Sequence, residues 1–346
     1  MKFSRQWADK AKMDGITAPP LPTSRTRRRA PQSVAGMLAE IGSRILIVAA
    51  VMAGGLALLY FPWEVDAPLT KSEMADLEKY YATAYADQGK AKEEPVNSDY
   101  VRIAETFANG SNATEAVAYF AKMYGLHDQK VLDVGAGRGY LQDVVPDYTG
   151  LDISPSAVRF FHKKFVHASA TYMPFQDSEF DAAWSIRVFE HVPNPEAALR
   201  EIRRVVKDGG LILLSPAWDC RSWAADGYPV RPYGEFGVGG KLYKASLPLQ
   251  EIASNYARVP IRFLREAAWR VAGGPTALHY RRMKPNYDKY WMADSDAVNI
   301  LDRHEMAIWF TSRGDECLNC ETAMTGWLDV DDALVIRVHK KAAPKT

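Results

Sequence analysis

Cysteine is nearly absent from this chain, with three residues in 346: Cys220, Cys317 and Cys320. That number supports no disulfide framework and falls short of a Cys-only zinc site. Cys317 and Cys320 stand in a C-x-x-C spacing, but neither a second C-x-x-C nor an H-x3-H partner accompanies them. They are expected as two thiols near a sheet edge with no chemistry, in a reducing compartment, and no metal site is expected. Net charge is equally slight: 43 Lys and Arg against 42 Asp and Glu leave +1. No uniform field favours nucleic acid, and no nucleic-acid partner is expected. An internal repeat is lacking too, which excludes solenoids and propellers. Only one uncharged apolar run reaches membrane length, which excludes a polytopic membrane protein.

That one run is informative. Residues 45–61 (ILIVAAVMAGGLALLYF) carry no charge over 17 positions, which as a helix spans about 26 Å against a hydrocarbon core of roughly 30 Å. Tyr60, Phe61 and Trp63 close its far end and Arg44 its near end, as an interfacial anchor is trimmed. The first 44 residues hold nine Lys or Arg and three acids, with Pro19, Pro20, Pro22 and Pro31 breaking helices. Residues 1–44 therefore read as a basic arm, 45–63 as a membrane anchor, and 64–112 as a polar, helix-permissive linker. The basic arm places the amino terminus in the cytoplasm and a full span would put the remainder outside. A kink at Gly54-Gly55, turning the segment back, keeps the following domain on the cytosolic side, the side expected from the cysteine usage.

Beyond a helix expected at 113–124, short apolar runs alternate with helical stretches. Strands are expected at 130–134, 149–152, 165–168, 181–186 and 211–215, with a helix at 195–206. Strands separated by single helices imply right-handed crossovers and a parallel sheet. The first strand runs into Val131-Leu132-Asp133-Val134-Gly135-Ala136-Gly137-Arg138-Gly139-Tyr140. Glycines at a strand's carboxyl end let backbone N–H groups approach a ligand, and a helix is expected after the turn. A nicotinamide fingerprint needs a glycine at position 140, where Tyr stands; G-x-G-x-G preceded by an acid argues against pyrophosphate.

This turn, together with Gly150-Leu151-Asp152-Ile153-Ser154, Ser169-Ala170-Thr171-Tyr172-Met173-Pro174-Phe175, Phe180-Asp181, Phe189-Glu190-His191-Val192 and Lys207-Asp208-Gly209-Gly210, resembles the class I S-adenosylmethionine (SAM) dependent methyltransferases of the type 11 group. The likeness spans about residues 113–216. It implies a doubly wound, Rossmann-like, seven-stranded α/β sheet with SAM as cofactor. It also implies a binding set of Asp133, Gly135, Gly137, Gly139, Asp152, Ile153, Ser169, Ala170 and Arg187, with Asp152 holding both ribose hydroxyls. The family commonly has Asp where Ser169 stands; a hydroxyl accepts from the adenine amino group without charge, which implies a weaker hold. Because a sulfonium methyl is already electrophilic, alignment of the nucleophile and exclusion of water do most of the work. For an alcohol acceptor a base helps, and His191 at the carboxyl edge is the candidate, with Glu190 as an orienting charge.

After the fifth strand, residues 217–300 form an insertion too long for a plain connection. Between 217 and 291 lie 12 Lys or Arg and six acids. It is expected as a substrate lid facing the membrane through Arg258, Arg262, Arg265 and Arg270, with Pro260 breaking any helix there. Residues 301–346 complete the sheet, with a helix at 302–312 and a closing antiparallel strand at 333–339. Two functions follow: an anchored methyltransferase acting on a membrane-associated or lipid-linked small molecule or glycan, or a noncatalytic SAM-fold module that recruits a partner to the membrane. A methyltransferase with a soluble acceptor is the further alternative.

Overall fold

The computed structural model describes residues 34–60, 70–83, 113–218, 220–289, 291–320 and 333–340. Most of the basic arm and of the 64–112 stretch lies outside them, as do residues 61–63 of the expected anchor. The chain divides into two units, 1–52 and 53–346, taken separately here. In the first, helix α1 (Val34–Tyr60) begins; its Val34–Met52 portion is long and apolar enough to cross a membrane, and none of its best window is buried. The helix is continuous through Gly54 and Gly55, and a Cβ placed on either would meet nothing within 4 Å.

In the second unit, a seven-stranded sheet has the order β3-β2-β1-β4-β5-β9-β8. Strands β1 (Val131–Val134), β2 (Tyr148–Asp152), β3 (Lys164–His167), β4 (Phe180–Ile186) and β5 (Val206–Ser215) run parallel. Strand β9 (Leu334–Arg337) is antiparallel to β5 and to β8 (Glu316–Cys317), as expected for the closing strand. Both faces are covered, so the strands are apolar at successive positions rather than alternating with polar ones. Leu132, Val134, Ala183, Ile212, Leu214 and Ile336 pack on one face with α4 (Pro195–Val205) and α7 (Arg303–Thr311). Val131, Trp184, Leu213 and Val335 pack on the other with α3 (Ala113–Met123).

Helix α4 starts where Asn194 accepts a 2.8 Å bond from the Ala197 N–H and Pro195 fixes the first turn. The helix expected after the glycine turn does not form. Residues 137–147 are successive turns and bends, with Gly139 N–H donating to the Ala136 carbonyl and Gln142 N–H to that of Gly139. Glycine costs most in helix entropy, and two left-handed glycines within three residues preclude a regular first turn. The crossover after β2 is a short 3-10 helix, Pro155–Phe160.

The insertion contains α5 (Val238–Tyr256), α6 (Val259–Ala272) and a two-stranded ribbon of β6 (Arg281–Arg282) with β7 (Asn299–Ile300). Pro260 sits in the first turn of α6, where its missing N–H costs nothing, so it separates the helices as expected. Arg258, Arg262 and Arg265 turn inward, whereas Arg270 is exposed. Arg262, fully buried, donates to Asp302 Oδ2 from Nη2 at 2.8 Å and Nε at 3.1 Å; Arg258 reaches the same oxygen at 3.4 Å. Arg265 forms a fork on Glu305 at 3.0 and 2.9 Å, and Arg270 pairs with Glu266. A buried guanidinium requires a carboxylate, and α7 supplies two from its first turn. Cys317 and Cys320 form a disulfide with Cα atoms 5.6 Å apart. This corrects the expectation of two idle thiols: the tight turn leaving β8 places the two side chains together.

Candidate active site

The carboxyl ends of β1, β2 and β4 meet at one cavity of about 100 Å3. From β1, Gly135, Gly137 and Gly139 all adopt positive φ, at 79°, 52° and 72°. A Cβ on Gly135 would stand 2.3 Å from Val188 Cγ2, so only glycine lets the turn pass beneath the loop after β4. Gly135 and Ala136 donate their N–H groups to the Leu151 carbonyl at 2.7 and 2.9 Å, and Gly137 N–H donates to Asp152 Oδ2 at 2.8 Å. The turn is thereby tied to β2, and these three N–H groups serve that tie.

Asp152 ends β2 and lines the cavity. Its other oxygen accepts from Ser154 N–H at 2.8 Å. Burial raises its pKa, opposed by those two N–H donors. An ionised carboxylate offers about four lone-pair sites, so two remain for a diol. Ile153, Ser169, Ala170, Arg187 and His191 line the same cavity. The Ser169 hydroxyl lies 2.8 Å from that of Thr171 and accepts from Thr171 N–H at 3.2 Å, so it also braces its own turn. Arg187 has φ 56°, the strained exit from β4.

Of the expected binding set, Asp133, Gly137 and Gly139 are not in the cavity wall. Strand alternation sends Asp133 to the opposite face from Leu132 and Val134. There its buried carboxylate accepts from the Tyr148 hydroxyl at 2.7 Å, and burial pushes it up to about 7.

His191 is surrounded by acids. Its Nδ1 lies 3.5 Å from Asp296 Oδ2, and its Nε2 3.8 Å from Glu190 Oε1 and 3.9 Å from Asp294 Oδ1. Burial lowers its pKa, but Asp296, Glu190 and Asp294 together outweigh that, and the net direction is up. Burial also pushes the Glu190 carboxyl up to about 7. Asp296 Oδ2 accepts from the Tyr81 hydroxyl at 2.7 Å. Among the described residues, Glu190, His191 and Asp294 are the group whose ligand atoms, within 4.8 Å of one another, could hold a metal ion.

Sequence reasoning passed over the roof of the cavity. Helix α2 (Lys71–Thr83), within the expected linker, puts Leu77 and Tyr81 into the wall, and Tyr80 packs on Tyr287. The signal was present as an aromatic pair, Tyr80-Tyr81, inside an otherwise polar helix. Asp294 and Asp296 were missed as well; they lie about 100 residues beyond His191 in sequence, and β7 brings them back. Val298 N–H donates to the Glu190 carbonyl at 2.9 Å, and Asn299 Nδ2 to that of Val192 at 2.6 Å.

Residues 132–214 match the family model described as a methyltransferase domain. The chain carries a class I SAM-dependent methyltransferase domain. A fatty-acid O-methyltransferase of Mycolicibacterium smegmatis is 27% identical over 183 residues, 47% of this chain and 66% of that protein. A sterol 24-C-methyltransferase of Gibberella zeae is 32% identical over 126 residues, 30% of this chain and 33% of that one. The YcgJ protein of Bacillus subtilis, a solved structure, is 27% identical over 25% of this chain and 44% of its own, with a TM-score of 0.25. The chain spans less than two thirds of the curated relatives' lengths. The methyltransferase domain thus accounts for the glycine turn and the β2 acid, and the residues present suit the cofactor: a diol acceptor at Asp152, glycine clearance at 135, and a cavity between them. Pockets for drug-sized ligands occupy roughly 300–1,000 Å3, so the cavity as it stands is smaller than such a site.

Proposed function

We propose that this protein transfers a methyl group from SAM to a membrane-associated or lipid-linked acceptor while held at the membrane by α1. The observation that carries the reading is the convergence of Gly135, Asp152 and His191 on one cavity at the carboxyl edge of the sheet, where open α/β sheets place their ligands. The lipid character of the acceptor is supported by the printed activities of the fatty-acid and sterol relatives and by the exposed apolar helix.

When bound, SAM supplies a methyl on a sulfonium sulfur. Asp152 would hold the ribose hydroxyls, and Ile153, Ser169, Ala170 and Arg187, which line the same cavity, would hold the rest of the nucleoside. Gly137 and Gly139 shape the turn, and Asp133 supports it from the far face through Tyr148. Leu77 and Tyr81 exclude water from above. His191 takes the proton of an acceptor hydroxyl at Nε2 as the oxygen attacks, and Asp296 beside Nδ1 balances the imidazolium that results. The domain is assigned to the cytosolic side on cofactor supply alone, which requires α1 to lie in the membrane without crossing it; the paired cysteines no longer argue for a reducing compartment.

The test is incubation of the reconstituted full chain with methyl-labelled SAM and fractionated lipid extract, read by mass spectrometry. A lipid or glycolipid product one methyl group heavier supports the reading. Label found only in water-soluble acceptors overturns the lipid assignment, and SAM binding without transfer to any fraction favours the noncatalytic module.

A further inference from the structure

Helix α5 is amphipathic, and it is mounted inside out. At about 100° per residue, Val238, Leu242, Ala245, Leu249, Ile252 and Tyr256 fall within one arc of roughly 80°. All six are exposed, Leu242 by 68% and Leu249 by 72%. The side turned to the protein carries Leu247 together with Lys244, Ser246, Gln250 and the buried Ser254. Lys244 Nζ donates to the backbone carbonyls of Pro229 and Arg231, and Gln250 Nε2 to Ser246 Oγ at 2.6 Å. The chain stays in right-handed helical geometry through Ala257 and Arg258 into α6, where Phe263, Leu264 and Val271 are exposed, the last by 90%. An apolar surface of this extent on a folded domain marks a contact.

We propose that the exposed stripe of α5, continued on α6, lies in the headgroup–acyl boundary of a lipid bilayer. It is a second membrane contact beside α1, and it rests on the membrane reading above. Charge selects the occupant. Lys241 borders the stripe, Arg270 is exposed beside Phe263, and no acid stands on the stripe itself. Glu251 is on the other side of α5, and Glu266 is held by Arg270 and His304. Cations at the edge of an apolar helical face match an anionic headgroup layer. The tether adds to this, because a chain carrying α1 always has a bilayer within reach. This corrects the sequence expectation on which side chains do the work: Arg258, Arg262 and Arg265 are the root of the segment, paired with Asp302 and Glu305, Arg270 alone stays at the exposed edge, and the apolar residues are the contact.

The test places a fluorophore on the full chain, reconstituted in phosphatidylglycerol–phosphatidylcholine vesicles, through Leu249→Cys or, on the opposite side of the same helix, Glu251→Cys. Both positions are exposed, so neither substitution disturbs the core. The native cysteines are paired or buried, which leaves the engineered thiol as the reactive one. Quenching by lipids bearing a nitroxide in the upper acyl chain is expected to be several-fold stronger at 249 than at 251. Equal quenching at the two positions overturns the proposal. So does a label at 249 that is shielded in detergent without lipid while light scattering reports a dimer, since the stripe is then an interface between copies. No methyl transfer is read, so this result and that of the proposed function fail independently.

Discussion

Asp302→Asn isolates the buried charge layer that seats the insertion. Asn caps a helix as well as Asp does, so the bonds from His304 N–H and Glu305 N–H to the cap oxygen keep a partner. What goes is the negative charge opposite Arg262 and Arg258, which are 1% and 3% exposed. Removing one partner of a buried pair costs about 3–5 kcal/mol, because the remaining charge is stranded. In a domain of this size each kcal/mol moves Tm by roughly 2–4 °C, so a fall on the order of 10 °C is expected.

The pH dependence is also determined. Burial raises the Asp302 pKa, but Arg262 and Arg258 override it, and the carboxyl titrates well below its usual range. A depressed folded-state pKa contributes stability that is present above the unfolded value, about 3.9, and is lost as pH falls through the folded value. The gap between native protein and variant is therefore constant from pH 8 to 5 and narrows only below about 4. Thermal unfolding followed by circular dichroism at fixed scan rate measures it. A fall of under about 2 °C at pH 7, less than 1 kcal/mol by the same conversion, refutes the reasoning. So does a gap that closes already between pH 7 and 5.

Three further outcomes follow from the site. Asp152→Asn removes charge-assisted bonds worth about 1.5–3 kcal/mol each and is expected to weaken SAM binding by at least tenfold in calorimetry; unchanged affinity removes Asp152 from the cofactor site. His191→Gln should keep SAM affinity and lose turnover with a hydroxyl acceptor. The native pH–rate profile should rise with pH through a limb above the ordinary histidine value of about 6.5, because the neighbouring acids raise this imidazole; full turnover in the variant excludes the base. In sealed vesicles of known orientation the domain should be cut by protease added to the cytosolic side, and protection there reverses the assignment.

The ordered motifs from Asp133 to Gly210 made the parallel half of the sheet legible, because each strand there is a short apolar run followed by a turn whose chemistry is local. The covering elements were not, since their partners are remote in sequence. Nothing near Arg262 announces Asp302, forty residues on, and so a buried ion layer read as a membrane-facing basic surface. Tyr81 lies 215 residues before the Asp296 it bonds, which hid the cavity's roof. No helix follows Gly139, because the left-handed residues of the glycine turn, Gly137 and Gly139, continue past the point where a helix would start.

The bonds from Val298 and Asn299 to the backbone around His191 divide the insertion into two parts that are held in different ways. Its return limb, 294–300, brings Asp294 and Asp296 to His191 and pins the loop that carries the imidazole, so on the proposed role of His191 a change there is expected to alter turnover. The stretch 233–256 presents its apolar stripe outward, and its Lys244 is tied to the backbone of Pro229 and Arg231. On the proposed roles, a graft joined upstream of 257 is expected to exchange the surface contact while leaving the 189–192 loop and its neighbouring acids in place.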